Sequence, residues 1–245
     1  MKNLFTLIFL FTLIGCTTGK KATPLQTIEI ETGNPNYTQV DKKHKQLLEE
    51  GENLLLRKQA QTAIDQYFNL VIQDYMTIYH NKQDELYNAR TKKEHDFYMK
   101  EAKRKKKKAH ILSNIWAKAY YLKAYALLEQ KSIRPAKKAL EKALTLSPSN
   151  AQYLSEMGHI LHIEKKWNNA LNIYRKAELS SNLFSPDDVQ REELLRAKRG
   201  IGFSLTELKR VVEAKKIYQE ILRIDPQDKI AKRELKYLQE LKNRD

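Results

Sequence analysis

Residues 117–150 read AKAYYLKAYALLEQKSIRPAKKALEKALTLSPSN, and residues 151–184 read AQYLSEMGHILHIEKKWNNALNIYRKAELSSNLF. Set one above the other, they place Ala124 over Gly158, Ala136 over Ala170, Leu140 over Tyr174 and Ala143 over Ala177. A third copy, Leu195 to Asp228, supplies Gly202, Ala214, Tyr218, Ile221 and Pro226 in the same order. Two small residues twelve apart, then larger ones four and three further on, have a physical cause. Where two antiparallel helices cross closely, Gly or Ala lets the backbones approach, and bulkier residues a turn away fill the space toward the next hairpin. The segment ends agree: Ser147-Pro148-Ser149-Asn150 and Asp225-Pro226-Gln227-Asp228 each combine a helix stop with a cap for the next start.

The period of about 34 residues resembles the tetratricopeptide repeat, which implies an all-α solenoid of stacked helical hairpins. The middle copy departs from the pattern with Asn182 where its neighbours carry Pro, and the insertion 185–194 precedes the third copy. Upstream, Gly51, Ala63, Tyr67 and Leu70 repeat the spacing, so residues 41–77 are expected to form an atypical N-terminal hairpin. Residues 78–116 lack Gly and Pro and are rich in Lys and Glu; they are expected to form long basic helices or a degenerate repeat. Residues 229–245 are expected to cap the open end.

The N-terminus supplies the second motif. Lys2, an apolar run from Leu4 to Ile14 and small Gly15 have the layout of a secretory signal peptide, residues 1–15. Leu13-Ile14-Gly15-Cys16 resembles the lipobox of bacterial lipoproteins, which implies acylation of Cys16, the chain's one cysteine. An ordinary signal cut or a buried core cysteine are the alternatives. Residues 16–40, rich in Thr, Gly, Pro and Asn, read as a flexible tether with a span on the order of 25 to 30 Å. The resemblance implies a palmitate-bearing protein of the bacterial cell envelope. Thr17 in place of Asp favours the outer membrane, facing the periplasm, given a Gram-negative source.

Chemistry is sparse. There is no phosphate loop, nucleophile elbow or His-Glu-x-x-His run, so an enzyme is not expected, and neither is a cofactor. His159 and His162, one turn apart, could in principle share a metal, but such spacing is common by chance and no metal site is assigned. Binding is the expected work, since first helices of stacked hairpins line an inner groove. Lys118, Tyr121, Tyr125, Gln152, Ser155, His159, His162, Arg196, Arg199 and Phe203 are expected to face it and to suit a protein or peptide partner. Cytosolic chaperone-binding repeats hold a terminal carboxylate with a Lys, Asn and Arg clamp; Tyr121, Tyr125 and His159 occupy several of those places here, so that specificity does not carry over.

The chain has 45 basic and 30 acidic residues, a net charge of +15. The densest block is Lys103, Arg104, Lys105, Lys106, Lys107 and Lys108. It reads either as a solvated face or as a contact for anionic lipid or envelope polymer. Nucleic acid is not an expected partner for an exported chain. The expectation is therefore a lipid-anchored scaffold or adaptor in envelope assembly; a narrower version resembles the repeat-bearing pilotins that help place a secretin or type IV pilus component.

Overall fold

The computed structural model describes residues 37–81 and 83–242. Cys16, the signal segment and most of the expected tether lie outside these residues. Helix α1 (Tyr37–Leu56) opens inside the stretch 16–40, because no Gly or Pro interrupts the chain from Tyr37 until Gly51. It pairs with a second helical arm made of α2 (Ala60–Ala63), a π-helical turn (Ile64–Phe68) and α3 (Asn69–Tyr79). Three further hairpins follow: α5 (Ile115–Glu129) with α6 (Ile133–Leu146), α7 (Ala151–Ile163) with α8 (Trp167–Phe184), and α9 (Asp187–Glu207) with α10 (Val211–Ile224). The last helix, α11 (Lys229–Lys242), lies against α10 and α9. Residues 187–194 of the insertion form the opening turns of α9.

The small positions govern how closely the helices meet. A β-carbon built on Gly158 would come within 2.6 Å of the Tyr174 ring, and one on Gly202 within 2.6 Å of Tyr218. On Gly200 it would meet Tyr174 at 2.2 Å, so this ring is held between its own hairpin and the next. In the 117–150 hairpin the corresponding pair is Ala124 and Leu140, both fully buried. The extra methyl is matched by a slimmer side chain opposite, so the combined volume fits the same interior density.

The first hairpin departs from the expected register. A β-carbon built on its glycine, Gly51, would meet the Phe68 ring at 2.4 Å, not Tyr67. The π turn takes up one extra residue, which puts Phe68 and Val71 in the core at 0% exposure and leaves Leu70 44% exposed. Tyr67 and Leu70 are thus corrected as core positions. The slip buries a ring without a polar atom and leaves the Tyr67 hydroxyl near water, avoiding the cost of an unpaired buried O–H.

Residues 78–116 also differ from expectation. Strand β1 (Glu85–Ala89) runs parallel to β2 (Ala109–Ser113), with Tyr87 opposite Ile111 and Asn88 opposite Leu112, and α4 (Lys92–Arg104) crosses between them. Neither an extended pair of basic helices nor a degenerate repeat is present. Tyr87, Tyr98 and Ile111 form the unit's own small core, the two tyrosine rings stacked 4.9 Å apart. Thr91 caps α4 by accepting from the Glu94 N–H at 3.1 Å, while Glu94 accepts from the Arg90 N–H at 2.7 Å.

Several polar contacts join the unit to the stack, beginning with Ser113 Oγ at the end of β2, which donates to Asp41 of α1 at 3.0 Å. Asn88 Oδ1 accepts from the Ala117 N–H at 2.7 Å, serving the start of α5, and Ser147 Oγ donates to the Asn88 carbonyl at 2.7 Å. The Ser149 N–H donates to Tyr98 Oη at 3.0 Å. Arg90 forms a two-pronged ion pair with Glu193 of α9 at 2.6 and 3.2 Å, both side chains 8% exposed. Breaking such a buried pair on one side costs about 3–5 kcal/mol.

The glycine contacts yield a direct test. Gly200→Ala should destabilise the chain by about 1–3 kcal/mol through overpacking, and Tyr174→Leu in the same chain should recover part of that loss. Urea unfolding followed by circular dichroism reads both; an unchanged midpoint for Gly200→Ala would contradict the close approach.

Candidate functional site

The inner faces of α7, α9 and α11 border an open concavity of about 530 Å³, open solvent included. Its floor comes from Tyr174, Gly200, Tyr218 and Ile230, and its polar lining from Ser155, Glu156, His159, Arg196, Arg199, Arg233 and Glu234. The near-continuous burial of α7 explains why polar groups end up deep here. Its residues 153 to 158 are all buried, so Ser155 and Glu156 are each only 2% exposed although one face of the helix lines the groove. Ser155 Oγ has no hydrogen-bond partner among the described residues. Arg196 stands across from Glu156 at 3.7 Å, an ion pair longer than a direct hydrogen bond.

An aromatic wall borders this polar patch. The His162 ring lies 5.0 Å from Tyr174, 4.9 Å from Phe203 and 5.7 Å from Trp167, and Trp167 meets Phe203 edge-on at 6.0 Å. His162 Nε2 also pairs with Ser204 Oγ at 2.7 Å. Burial, with His159 beside it, pulls the His162 pKa down to about 3. His159 is lowered too, chiefly by burial, with Glu156 opposing. Among the described residues no group of three or more His, Cys, Asp or Glu is placed to hold a metal ion.

Of the residues expected to face the groove, Ser155, His159, His162, Arg196, Arg199 and Phe203 line one concavity. Four others do not, Gln152 among them, whose Nε2 donates to the Tyr121 hydroxyl. Tyr121 is a core residue, 6% exposed and stacked on Tyr153 at 4.9 Å, its hydroxyl accepting from Gln152 Nε2 at 3.1 Å. Lys118 reaches α1, where its ammonium meets Glu52 at 3.0 Å. Tyr125 is half-buried beside Glu129. Arg199, though in the lining, is tied to Asp228 at 2.8 and 2.5 Å, and Asp228 in turn accepts from the Ala231 N–H at 2.7 Å to cap α11. Its guanidinium is therefore an architectural brace between α9 and α11.

Ile230, Arg233 and Glu234 are lining residues that the sequence reading placed only in a capping helix. Their three- and four-residue spacing matches that of His159 and His162 or Arg199 and Phe203 in the preceding first helices, and that repetition was the available signal. Trp167 was missed because it opens a second helix, whose first turn happens to curl beside the groove. Of the basic block, Lys103 and Arg104 end α4 and Lys105 to Lys108 form the turn into β2; all are exposed.

The tetratricopeptide repeat family profile matches residues 117–150. No curated protein sequence matches the chain. Among solved structures, pilF of Pseudomonas aeruginosa is similar with a TM-score of 0.57 at 16% identity, over 84% of this chain and 72% of that one. MamA (41-end) from Desulfovibrio magneticus RS-1 is similar with a TM-score of 0.53 at 14% identity, over 82% and 86%. The fold is a tetratricopeptide-type helical solenoid, an architecture of protein-interaction scaffolds.

The depressed histidine predicts an acid sensitivity. Unfolded, His162 takes up a proton as pH falls through about 6.5, whereas folded it stays neutral down to about 3. The unfolded state then binds more protons, so stability falls on acidification, by up to about 1.4 kcal/mol per pH unit from this residue. Urea titrations between pH 7.5 and 5 should show a shallower slope for His162→Gln; identical slopes would contradict the buried neutral ring.

Proposed function

We propose that this chain is a lipid-anchored adaptor of the bacterial envelope that captures an extended polypeptide segment in the concavity between α7, α9 and α11. The observation that carries the groove reading is the unpartnered hydroxyl of Ser155, buried within the polar patch of a hollow that also has an aromatic wall. A buried polar group left without a hydrogen bond costs about 1–3 kcal/mol, and a peptide N–H or carbonyl laid along the groove would supply one. Phe203 and Trp167 offer ring area to an apolar side chain, and Glu156 with Arg196 offers one charge of each sign to the backbone or a polar neighbour. The serine–histidine contact beside this arrangement does not supply a nucleophile, because the Ser204 hydroxyl is buried and donates to the Gly200 carbonyl at 2.8 Å, so the proposed work is recognition.

The anchoring part rests on the lipobox-like run ending at Cys16, and the location, the outer membrane facing the periplasm, rests on Thr17. In its narrower form the adaptor is pilotin-like and serves a secretin or pilus component; the combination of acyl anchor and repeats supports that form.

Two experiments address the two halves. Cells fed labelled palmitate should label the wild-type chain and not Cys16→Ser; an unlabelled wild type would remove the anchor. For the groove, a photoreactive residue at position 203 should crosslink a polypeptide in living cells, whereas one at position 212, on the outward side and 82% exposed as Val212, should not. Adding Ser155→Ala and Arg196→Gln should reduce the position 203 crosslink about 10-fold or more. Equal crosslinking from both positions would refute the groove.

A further inference from the structure

The strand–helix–strand unit has two unlike ends. Its contacts with the stack include Asn88 and Arg90 at the end of β1, Ser113 at the end of β2, Thr91 where α4 begins, and Phe97 and Tyr98 midway along α4. Because α4 runs back against the two parallel strands, its last turn and the turn 105–108 lie at the opposite end. Residues 92–108 hold nine basic and three acidic side chains, and the acidic Glu94 is buried.

The partners at this outer end are few. Arg104 pairs with Glu101 at 2.8 Å, Lys107 with Glu85, and Lys105 approaches Tyr87 Oη at 3.3 Å. Lys103, Lys106 and Lys108 are exposed and have no side-chain partner among the described residues. Lys106 adopts a left-handed backbone, φ 56°, closing a turn in which the Lys107 N–H reaches the Ala102 carbonyl at 3.0 Å. That tight turn packs like charges together, a repulsion that Glu101 and Glu85 relieve only for Arg104 and Lys107.

One apolar group sits within the same surface: Met99 is 44% exposed, whereas Phe97 lies on the other side of α4, against Phe184 at 4.9 Å. On α4, Lys92, Met99 and Lys103 share one helical face, at spacings of seven and four, and Lys100 lies beside Met99. We propose that the outer end of this unit docks on an anionic phospholipid bilayer, the lysines meeting headgroup phosphates and Met99 entering the headgroup–acyl boundary. A nucleic acid or acidic polysaccharide would satisfy the ammonium groups equally but offers Met99 no apolar medium, whereas a bilayer serves both. This inference rests on the membrane-anchored reading above, to which it adds a second contact with the bilayer.

Flotation with vesicles tests it, using a chain that starts at Thr17 and so keeps every element described here while lacking Cys16 and the apolar leader. It should bind vesicles of phosphatidylglycerol mixed with phosphatidylcholine, release in high salt, and ignore pure phosphatidylcholine. The triple change Lys103→Gln, Lys106→Gln, Lys108→Gln should lower the partition coefficient ~10-fold or more, and Met99→Ser several-fold by itself, with circular dichroism unchanged. No binding to the anionic vesicles, or binding that survives the triple change, would overturn the proposal. So would binding that heparin or duplex DNA abolishes while Met99→Ser leaves it untouched, which would mark a general polyanion site. A negative result here leaves the palmitate experiment to be read independently, since no acyl group is present in this assay.

Discussion

The closest approaches between helices in this stack depend on rings seated where a neighbouring backbone carries no side chain. Tyr174 is the extreme case, since it fills the space over Gly158 within its own hairpin and over Gly200 of the next. One ring thereby sets the spacing both within a hairpin and between two. The hollow above it inherits that spacing: Gly200 and Tyr174 are floor, and His162 and Phe203 rise from either side. Widening the contact by one methyl would move the walls of the concavity relative to each other, so packing and recognition share the same few atoms.

The second dependence is lateral. Hairpin stacks of this kind ordinarily rely on nearest neighbours alone, but here a strand–helix–strand unit spans several of them along the edge where successive hairpins are linked. Asn88 attends to the start of α5, Tyr98 to the loop before α7 and Arg90 to α9. Burial pushes the Glu94 carboxyl above its usual range despite the pull of Arg90, and Tyr98 Oη donates to it at 2.6 Å. This polar seam is almost entirely enclosed, so its members hold position only together.

The hairpins from Ile115 to Ile224 were legible in the sequence because small and large residues recur there at fixed offsets, and each offset has one packing explanation. The first hairpin was misread by one position because a π turn cannot be seen in spacing alone: Tyr67 and Phe68 are equally good ring donors, and the choice falls on the one without a hydroxyl. The strands were missed because Leu86-Tyr87-Asn88 and Ile111-Leu112 are brief runs amid dense charge, with no glycine or proline to mark them; Thr91 followed by Glu94 was the one clear sign of a fresh helix start. At the groove, helix periodicity identified which residues face inward. It could not say that Arg199 is engaged by Asp228 or that Tyr121 is covered by Tyr153, because those partners lie 29 and 32 positions away.

Every link from a first helix to its second turns through a lysine in the left-handed conformation: Lys58, Lys131, Lys165 and Lys209, with φ between 56° and 62°. Each is followed by an amide reaching back five residues, as from Lys166 to Leu161. Glycine would fit these corners with less strain. With lysine in their place, the edge remote from the strand–helix–strand unit becomes a ladder of ammonium groups, one rung per hairpin. Such a rail repels a second copy approaching along that side and draws acidic molecules toward the stack from a distance set by ionic strength.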